Sequence, residues 1–279
     1  MHVSLVGSFD DDARDLKVLL ELLAEIHGTK SVRKWRLNCC DTKYLGPWAV
    51  SVLYAAYLRA QQLGQHPRIR LPEGPPALKA FCVFAGLSSL FENGPAPNPE
   101  HPDCETIPIE NFTHASWDRS NRIIQLLKRH TVLGAEREDQ IRSCIQEIIQ
   151  NIVDHSNSPV GGVMSARYFQ GSAEIRIGIV DRGIGIAAKV RETSPETTST
   201  QGALQMVIRG GFSSRSRPNN MGLGVSNLFG LISAAGGRIA LFTGDAFAES
   251  RPGMNAPQIC AATSAFPGTG IFFSLPVLP

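Results

Sequence analysis

The stretch EIIQNIVDH, residues 147–155, determines how the rest of the chain is interpreted. As a helix, it places four polar residues on one stripe, at positions i, i+4, i+7 and i+8: Glu147, Asn151, Asp154 and His155. The opposite side is apolar and carries Ile141, Ile145, Ile148, Ile149, Ile152 and Val153. This apolar side would hold the helix against a sheet, while a carboxylate, an amide and an imidazole in one row suit a metal–phosphate site. A solvated helix face is the more common origin of such a row, so the stripe alone does not identify a site.

Two glycine-rich segments follow predicted elements further along the chain. The first, DRGIGI at residues 181–186, comes directly after a predicted strand at 175–180. Its aspartate can accept a hydrogen bond from the exocyclic amine of adenine, and its glycines allow close approach to the base. The second, NNMGLGVSNL at residues 219–228, opens a predicted helix, and backbone amides at a glycine-rich helix start bind phosphate. Taken singly, each segment is also typical of an ordinary glycine turn.

The segment between the two glycine-rich stretches, residues 187–218, is rich in Ser, Thr and Gly and carries Arg215 and Arg217 near its end. It is either a lid that folds over a bound nucleotide or a mobile loop. A strand predicted at 237–242 and a final strand within PGTGIFFSLP, residues 267–276, complete the pattern.

Four sequence boxes in this order resemble the GHKL ATPase family of gyrase B, MutL, histidine kinases and anti-sigma-factor kinases, the last being the nearest in character. The boxes are ExxxNxxxH on a helix, DxGxG after a strand, GLGxxN opening a helix, and GT-x5-LP in the last strand. The resemblance covers residues 113–279 and implies the Bergerat fold, an α/β sandwich whose mixed sheet is backed by helices. A Walker-type GxxxxGK[ST] motif is absent from the sequence, so a P-loop enzyme is excluded.

The resemblance also implies a role for each matching residue. Asn151 matches a Mg²⁺ ligand, Glu147 the carboxylate that activates the attacking water as a general base, and Asp181 the adenine-binding aspartate. The rest of the implied nucleotide-binding set is Gly183, Gly185 and Ile186 at the base, Gly222, Leu223 and Gly224 at the phosphates, and Thr269, which supports the adenine through water. His155 is either a site residue or a hydrogen-bonded structural histidine, and Asp154 has no implied role.

Strands alternating with helices over residues 1–92 predict a smaller α/β domain. We expect strands at 1–7, 35–40 and 68–71, helices at 16–26, 48–63 and 75–85, and a turn at 41–47. This order resembles a STAS-like domain, the fold of anti-anti-sigma factors, with matching points at Cys40-Asp41, Leu45-Gly46 and Gly86-Leu87. Thr42 and Lys43 stand where phosphorylated members carry a serine pair, so Thr42 is either a substitute acceptor or a helix cap. The resemblance implies an interaction or self-association module.

Residues 93–112 contain five prolines and few apolar residues, which predicts a linker between the two domains. Beyond it, apolar spacing predicts helices at 117–133 and 138–155, and strand alternation predicts a hairpin of 162–169 with 174–180.

The composition of the 279 residues is that of a globular protein, with 43% hydrophobic and 19% charged residues. A net charge of +2 gives no electrostatic case for nucleic-acid binding. The six cysteines form no CxxC pair, which indicates reduced thiols and argues against zinc. Neither a signal segment nor a membrane span is visible, and we expect a cytoplasmic protein without a membrane partner.

Three functions stay open on the sequence. The first is a Mg²⁺-dependent ATP-binding protein that hydrolyses ATP and regulates a partner through lid and domain rearrangement; Glu147 favours it. The second is an anti-sigma-type serine/threonine protein kinase acting on a STAS partner, and the third is an ATP-sensing module without hydrolysis. A two-component sensor kinase is disfavoured because Ala115 and Thr131, not acidic residues, follow His114 and His130. Gyrase- or MutL-type activity is disfavoured because no transducer domain follows.

Overall fold

The computed structural model describes residues 2–4, 7–9, 19, 34–39, 41–70, 85, 87, 105–210 and 224–277 of the chain. The amino-terminal elements are β1 (His2–Ser4), β2 (Gly7–Phe9), β3 (Lys34–Asn38), β4 (Thr42–Leu45), α1 (Pro47–Gln62) and β5 (His66–Arg70). They are followed by β6 (Thr106–Phe112), α2 (Trp117–His130), α3 (Ala135–His155), β7 (Gly162–Phe169) and β8 (Glu174–Asp181). The last elements are α4 (Gly185–Thr193), α5 (Thr200–Ile208), α6 (Gly224–Ala234), β9 (Arg238–Ser250) and β10 (Gln258–Pro276). No helix within these ranges is both long and apolar enough to cross a lipid bilayer.

The central element is a five-stranded sheet with the strand order β6-β7-β8-β10-β9. Each neighbouring pair is antiparallel, so the expectation of a mixed sheet is wrong for the described strands. The reason lies in the connections: β7–β8 and β9–β10 are joined directly as hairpins, which can only be antiparallel. The predicted α/β sandwich is otherwise present, since helices pack on this sheet.

Helices α2, α3 and α6 cover one face of the five-stranded sheet. Ile175, Ile177 and Ile179 of β8 point to this face and are buried beneath the helices, as their alternation predicted. Helix α3 contributes Ile145, Ile148, Ile149 and others of its apolar side to the same core. Helix α3 begins at Ala135, three residues earlier than predicted, and α2 ends at His130, three residues earlier than predicted.

Helix α1 covers the opposite face of the sheet. Trp48 is buried in one hydrophobic cluster with Val180 and Phe272 of the sheet, and the same cluster includes Leu37 and Ile69 of the amino-terminal strands. The amino-terminal strands form a parallel three-stranded sheet, β1-β3-β5, and a parallel pair, β2-β4. Within the described residues, the segment predicted as a separate domain therefore shares a hydrophobic core with the five-stranded sheet.

Two predictions near the amino-terminal segment are wrong in part. The end of the expected linker forms strand β6, which pairs with β7; Pro108 is tolerated at a register shift on this edge strand because an edge position needs no second hydrogen-bonding partner. The expected turn at 41–47 contains strand β4, because Thr42 and Leu45 are buried and pair beside β2. The helices predicted at 16–26 and 75–85 lie outside the described residues, except for Leu19 and Ala85, and the Cys40 and Gly86 positions also lie outside them.

Where the structure describes it, at residues 187–210, the segment expected to be a lid or mobile loop is largely helical. Helices α4 and α5 occupy 185–208 and share a small apolar cluster of Ala187, Val190, Ala203 and Val207. Helix α5 begins after Ser199, whose hydroxyl oxygen accepts a hydrogen bond from the backbone N–H of Gly202 at 3.0 Å. Residues 211–223, which include Arg215, Gly222 and Leu223, lie outside the described residues.

Candidate functional site

A cavity lies between α3, the carboxyl end of β8 and the nearby part of β10, with α4, α5 and α6 completing its walls. It encloses about 800 Å³ of space, part of it open to solvent. Most of its wall is apolar and consists of Ile148, Ile152, Ile179, Ile186, Val207, Val225 and Ile271. Its polar residues are Asn151, His155, Ser156, Asp181, Lys189 and Thr269. An apolar cavity with a few convergent polar groups is the usual form of a small-molecule site.

Asp181 lies at the end of β8 and is only 2% exposed. Its Oδ1 accepts a hydrogen bond from the backbone N–H of Gly183 at 2.7 Å, and Thr269 donates to it from both its backbone and its side chain. Burial raises the pKa of Asp181 to about 7, although these hydrogen bonds and the positive charge of Arg182 act to lower it. A buried carboxyl group with a perturbed pKa on a cavity wall is typical of a functional site.

The loop after Asp181 is held by a threonine on the distant edge strand β9. Thr243 is fully buried; its Oγ1 accepts from the backbone N–H of Ile186 and donates to the carbonyl of Gly268, both at 2.9 Å. Gly185, which directly precedes Ile186, has a φ of +76°, and a Cβ on Gly185 would lie 2.7 Å from the Thr243 Oγ1. Only glycine fits this position without displacing the loop.

Gly183 lies behind the cavity and is not part of its wall. A Cβ on Gly183 would collide with the backbone carbonyl of Ser156, the residue that follows α3. The same carbonyl accepts a hydrogen bond from the backbone N–H of Ile184 at 2.8 Å. The end of α3 and the loop after β8 are therefore in direct backbone contact, which sets the position of Asp181 relative to α3.

The polar stripe of α3 divides between the cavity and solvent. Asn151 and His155 line the cavity, whereas Asp154 is exposed and accepts a hydrogen bond from the side chain of Gln150 at 2.8 Å. The Nε2 atom of His155 is buried and has no hydrogen-bond partner among the described residues. A buried polar atom without a partner is costly, so this nitrogen points to a ligand or water that completes the site.

Glu147 lies one helical turn before Asn151 and is not part of the cavity wall. A Cβ on Gly224, the first residue of α6, would lie 2.7 Å from the Glu147 carboxyl carbon. The carboxylate therefore occupies space beside the amino end of α6, where the helix dipole stabilises negative charge. Glu147 borders a second depression between α3 and α6 instead.

Burial, with a contribution from the charge of Glu147, raises the pKa of the Cys144 thiol to about 11, so Cys144 is no nucleophile at neutral pH.

Five residues of the predicted set line the same cavity: Asn151, Asp181, Gly185, Ile186 and Thr269. Three polar residues at or around the cavity were not predicted: Ser156, Lys189 and Thr243. Lys189 follows Gly185 by one turn of α4, so recognising that helix would have placed it near the loop after β8. Ser156 and Thr243 act through contacts that no local pattern signals.

The described side chains at the cavity supply too few ligands to bind a metal ion on their own, so a metal ion would need further ligands from a bound molecule. Among the described residues, no group of three or more His, Cys, Asp or Glu could hold a metal ion. The side-chain oxygen of Asn151 is a hard donor of the kind that Mg²⁺ accepts, and Mg²⁺ in proteins commonly completes its shell with water and substrate phosphates. The donor set therefore suits Mg²⁺ bound together with a phosphate-bearing ligand.

The fold and the cavity define an α/β domain with a small-molecule site. The family model described as Histidine kinase-, DNA gyrase B-, and HSP90-like ATPase matches residues 136–278, just over half of the chain, from the first turn of α3 to just past β10. The chain belongs to this ATPase family, and the matched region is an ATP-binding domain of the ATPase or kinase type. No protein of curated function matches the chain.

Proposed function

We propose that the protein binds ATP with Mg²⁺ in the cavity beside Asp181, hydrolyses it, and uses the nucleotide state to regulate a partner. The observation that carries this proposal is the gathering of Asn151, Asp181 and Thr269 around one apolar cavity in a domain of an ATPase family. The apolar wall suits a flat purine base, and the few polar groups suit its edge and the attached sugar and phosphates.

In this proposal Asp181 binds the adenine. Its ionised carboxylate accepts a hydrogen bond from the exocyclic amine, which guanine lacks at that position. The N–H of Gly183 and the donors of Thr269 bind the carboxylate and favour its ionised form, offsetting part of the cost of burial. Thr269 also supports the base, and Gly185 leaves room for the base to approach the backbone.

His155 completes the proposed ligand contacts. Its Nε2 is buried at the cavity and has no hydrogen-bond partner among the described residues, so a nucleotide that supplies one removes an energetic penalty. His155 lies one helical turn beyond Asn151. We assign it to a nucleotide oxygen between the adenine at Asp181 and the metal-bound phosphates at Asn151.

Asn151, Glu147 and the start of α6 form the proposed phosphate end of the site. The Asn151 side-chain oxygen would hold Mg²⁺, which neutralises phosphate charge when it is bound. The backbone amide of Gly224, at the start of α6, would bind phosphate oxygens, and we propose the same role for Gly222 and Leu223, which precede it in the sequence. Glu147 lies against that helix start, beside the proposed position of the terminal phosphate, and would accept a proton from the attacking water.

The partner is proposed to act through the amino-terminal segment, either as a separate protein or as a second copy of this chain. The shared core of α1 and the five-stranded sheet supports this proposal, because a partner that moves α1 would also strain the strands that carry Asp181 and Thr269.

Incubation with γ-labelled ATP and Mg²⁺ tests the proposed reaction. Label released as free phosphate, and lost in Asp181→Asn, is the expected result. Label transferred to the protein or to an added STAS-domain protein would instead establish a protein kinase. ATP binding without either product would establish a sensor without hydrolysis, and both of these outcomes would contradict the proposed hydrolysis.

A further inference from the structure

Helix α1 contacts both strands that carry the proposed adenine contacts, from the face of the sheet opposite α3. A Cβ on Gly178, three residues before Asp181 on β8, would lie 2.6 Å from the Cα of Trp48, so the two backbones are in contact. A Cβ on Gly270, the residue after Thr269, would lie 3.4 Å from the indole Nε1 of Trp48. Trp48 thus contacts both strands directly behind the cavity.

The last turn of α1 contacts the loop between α3 and β7, which forms hydrogen bonds with the backbone after Asp181. The side-chain Nε2 of Gln62 donates a hydrogen bond to the carbonyl of Pro159 at 2.5 Å. Pro159 lies in the loop between α3 and β7, whose Ser158 hydroxyl accepts from the backbone N–H of Arg182 at 3.2 Å. Ser156 in the same loop accepts from Ile184. Gln62 therefore holds a loop that in turn holds the residues directly following Asp181.

A charge on α1 also acts on this segment. Arg182 is 7% exposed, and its guanidinium carbon lies 5.8 Å from the centre of the Phe266 ring. Burial and the positive charge of Arg59 on α1 lower the pKa of Arg182 to about 10, while Asp181 acts in the opposite direction. The charge of Arg59 on α1 therefore acts electrostatically on the residue that directly follows Asp181.

We propose that α1 is a positioning element of the nucleotide site: Trp48 and Gln62 hold the backbone around Asp181 and Thr269 from behind, so the affinity for ATP depends on the position of α1. The inference rests on the proposed ATP site and extends it to the amino-terminal segment. Because coupling between two equilibria is reciprocal, ATP in turn stabilises α1 against local opening. A helix that merely covered the sheet would show neither effect.

Gln62→Glu tests the proposal because glutamate has nearly the shape of glutamine but lacks the amide donor to the Pro159 carbonyl. The matched control is Gln61→Glu, which makes the same charge change on the neighbouring residue, whose side chain donates to Tyr57 within α1. We expect Gln62→Glu to weaken ATP binding in calorimetry about threefold to tenfold, the range of one lost hydrogen bond. Gln61→Glu should bind ATP within about a factor of two of the wild type.

Rescue and melting measurements separate positioning from simple destabilisation. Gln62→His retains an N–H donor at a similar reach without adding a fixed positive charge beside Arg59, and it should recover most of the affinity that Gln62→Glu loses. The thermal midpoint without nucleotide should change by the same amount in Gln62→Glu and Gln61→Glu. Equal ATP affinity of Gln62→Glu and Gln61→Glu would overturn the proposal, as would a failure of Gln62→His to bind ATP better than Gln62→Glu.

Hydrogen exchange of the whole chain with Mg²⁺ and ATP tests the reciprocal effect. We expect ATP to slow exchange in α1 of the wild type, and to slow it less in Asp181→Asn at the same ATP concentration. If the wild type binds ATP but α1 exchanges at the same rate with and without it, the positioning role is wrong while the ATP site stands. If the wild type binds no ATP at all, the proposed function itself fails.

Discussion

The hydroxyl of Thr243 accepts a hydrogen bond from the backbone N–H of Ile186 at 2.9 Å, although one residue lies on the edge strand β9 and the other at the start of α4. The same hydroxyl donates to the carbonyl of Gly268 in β10, so one buried side chain fixes the loop before α4 and β10 relative to each other. The loop that carries Gly185 is therefore held from behind by a hydrogen bond from the sheet.

This arrangement predicts that Gly185→Ala strongly weakens ATP binding. The new Cβ would lie 2.7 Å from the Thr243 hydroxyl, at a φ of +76° that alanine rarely adopts. We expect at least about a tenfold loss of affinity in calorimetry, equivalent to about 1.4 kcal/mol. Gly171→Ala is the matched control because the space around Gly171 is open. Equal affinities of the two variants would show that the loop does not form the base site.

Asp181 should make the stability of the nucleotide-free protein depend on pH. Its folded pKa of about 7 lies above the ordinary value of 3.8, so between these values the folded state holds a proton that the unfolded chain has released. The free energy of unfolding therefore falls as pH rises through this window, by up to about 1.4 kcal/mol per pH unit. The stabilisation is complete below pH 3.8 and is lost above the folded pKa.

Urea denaturation between about pH 5 and pH 8 measures this contribution. Asp181→Asn cannot titrate and should show a shallower fall in stability than the wild type. Asp154→Asn, an exposed position on α3, should keep the wild-type dependence. Parallel curves for the wild type and Asp181→Asn would mean that Asp181 is ionised in the folded protein throughout this range.

Glu147→Gln should separate hydrolysis from binding. The substitution keeps the shape beside Gly224 but removes the proposed proton acceptor, so we expect turnover to fall by about a hundredfold or more while ATP affinity changes little. Glu136→Gln, three turns earlier on α3, is the control and should keep wild-type turnover. Unchanged phosphate release in Glu147→Gln would show that another group, or no group, activates the water.

His155→Ala tests whether the unpartnered imidazole nitrogen contacts the nucleotide. Loss of one hydrogen bond to the ligand should weaken ATP binding about threefold to tenfold. The substitution removes the imidazole ring and leaves a cavity. The thermal midpoint of the nucleotide-free protein should fall by no more than a cavity of that size accounts for. His114→Ala alters an exposed histidine and should bind ATP normally. A large loss of stability without a loss of affinity would instead identify His155 as a structural residue.

Local sequence patterns were sufficient to predict the helix and the strand that carry the site residues. The helical spacing around Asn151 predicted α3, and the alternation before Asp181 predicted β8 with its buried isoleucines. Both signals depend on residues within about two turns of helix or one strand, where side-chain periodicity follows directly from backbone geometry. The cavity position of Asn151, Asp181 and Thr269 was predicted by the order of the sequence boxes, since no local rule links them.

Contacts between segments far apart in the sequence could not be predicted from local sequence patterns. Pro108 and the prolines before it favoured a linker, yet β6 gains its pairing from β7, fifty or more residues later. The Ser, Thr and Gly content of 187–218 favoured a loop, whereas the buried contacts of Val190 with Ala203 and Val207 stabilise two helices there. The packing of α1 on the five-stranded sheet depends on Gly178 being small, a requirement visible only once Trp48 is in place.

Calorimetric titration of Mg²⁺–ATP into the wild type, Asp181→Asn and Asp154→Asn tests the central claim most directly. We expect the wild type and Asp154→Asn to bind ATP equally. Asp181→Asn should bind at least about tenfold more weakly, because the buried acceptor for the adenine amine is altered and an amide group is left without its partners. Equal binding by all three proteins, or no binding by the wild type, would contradict the assignment of this cavity as the ATP site.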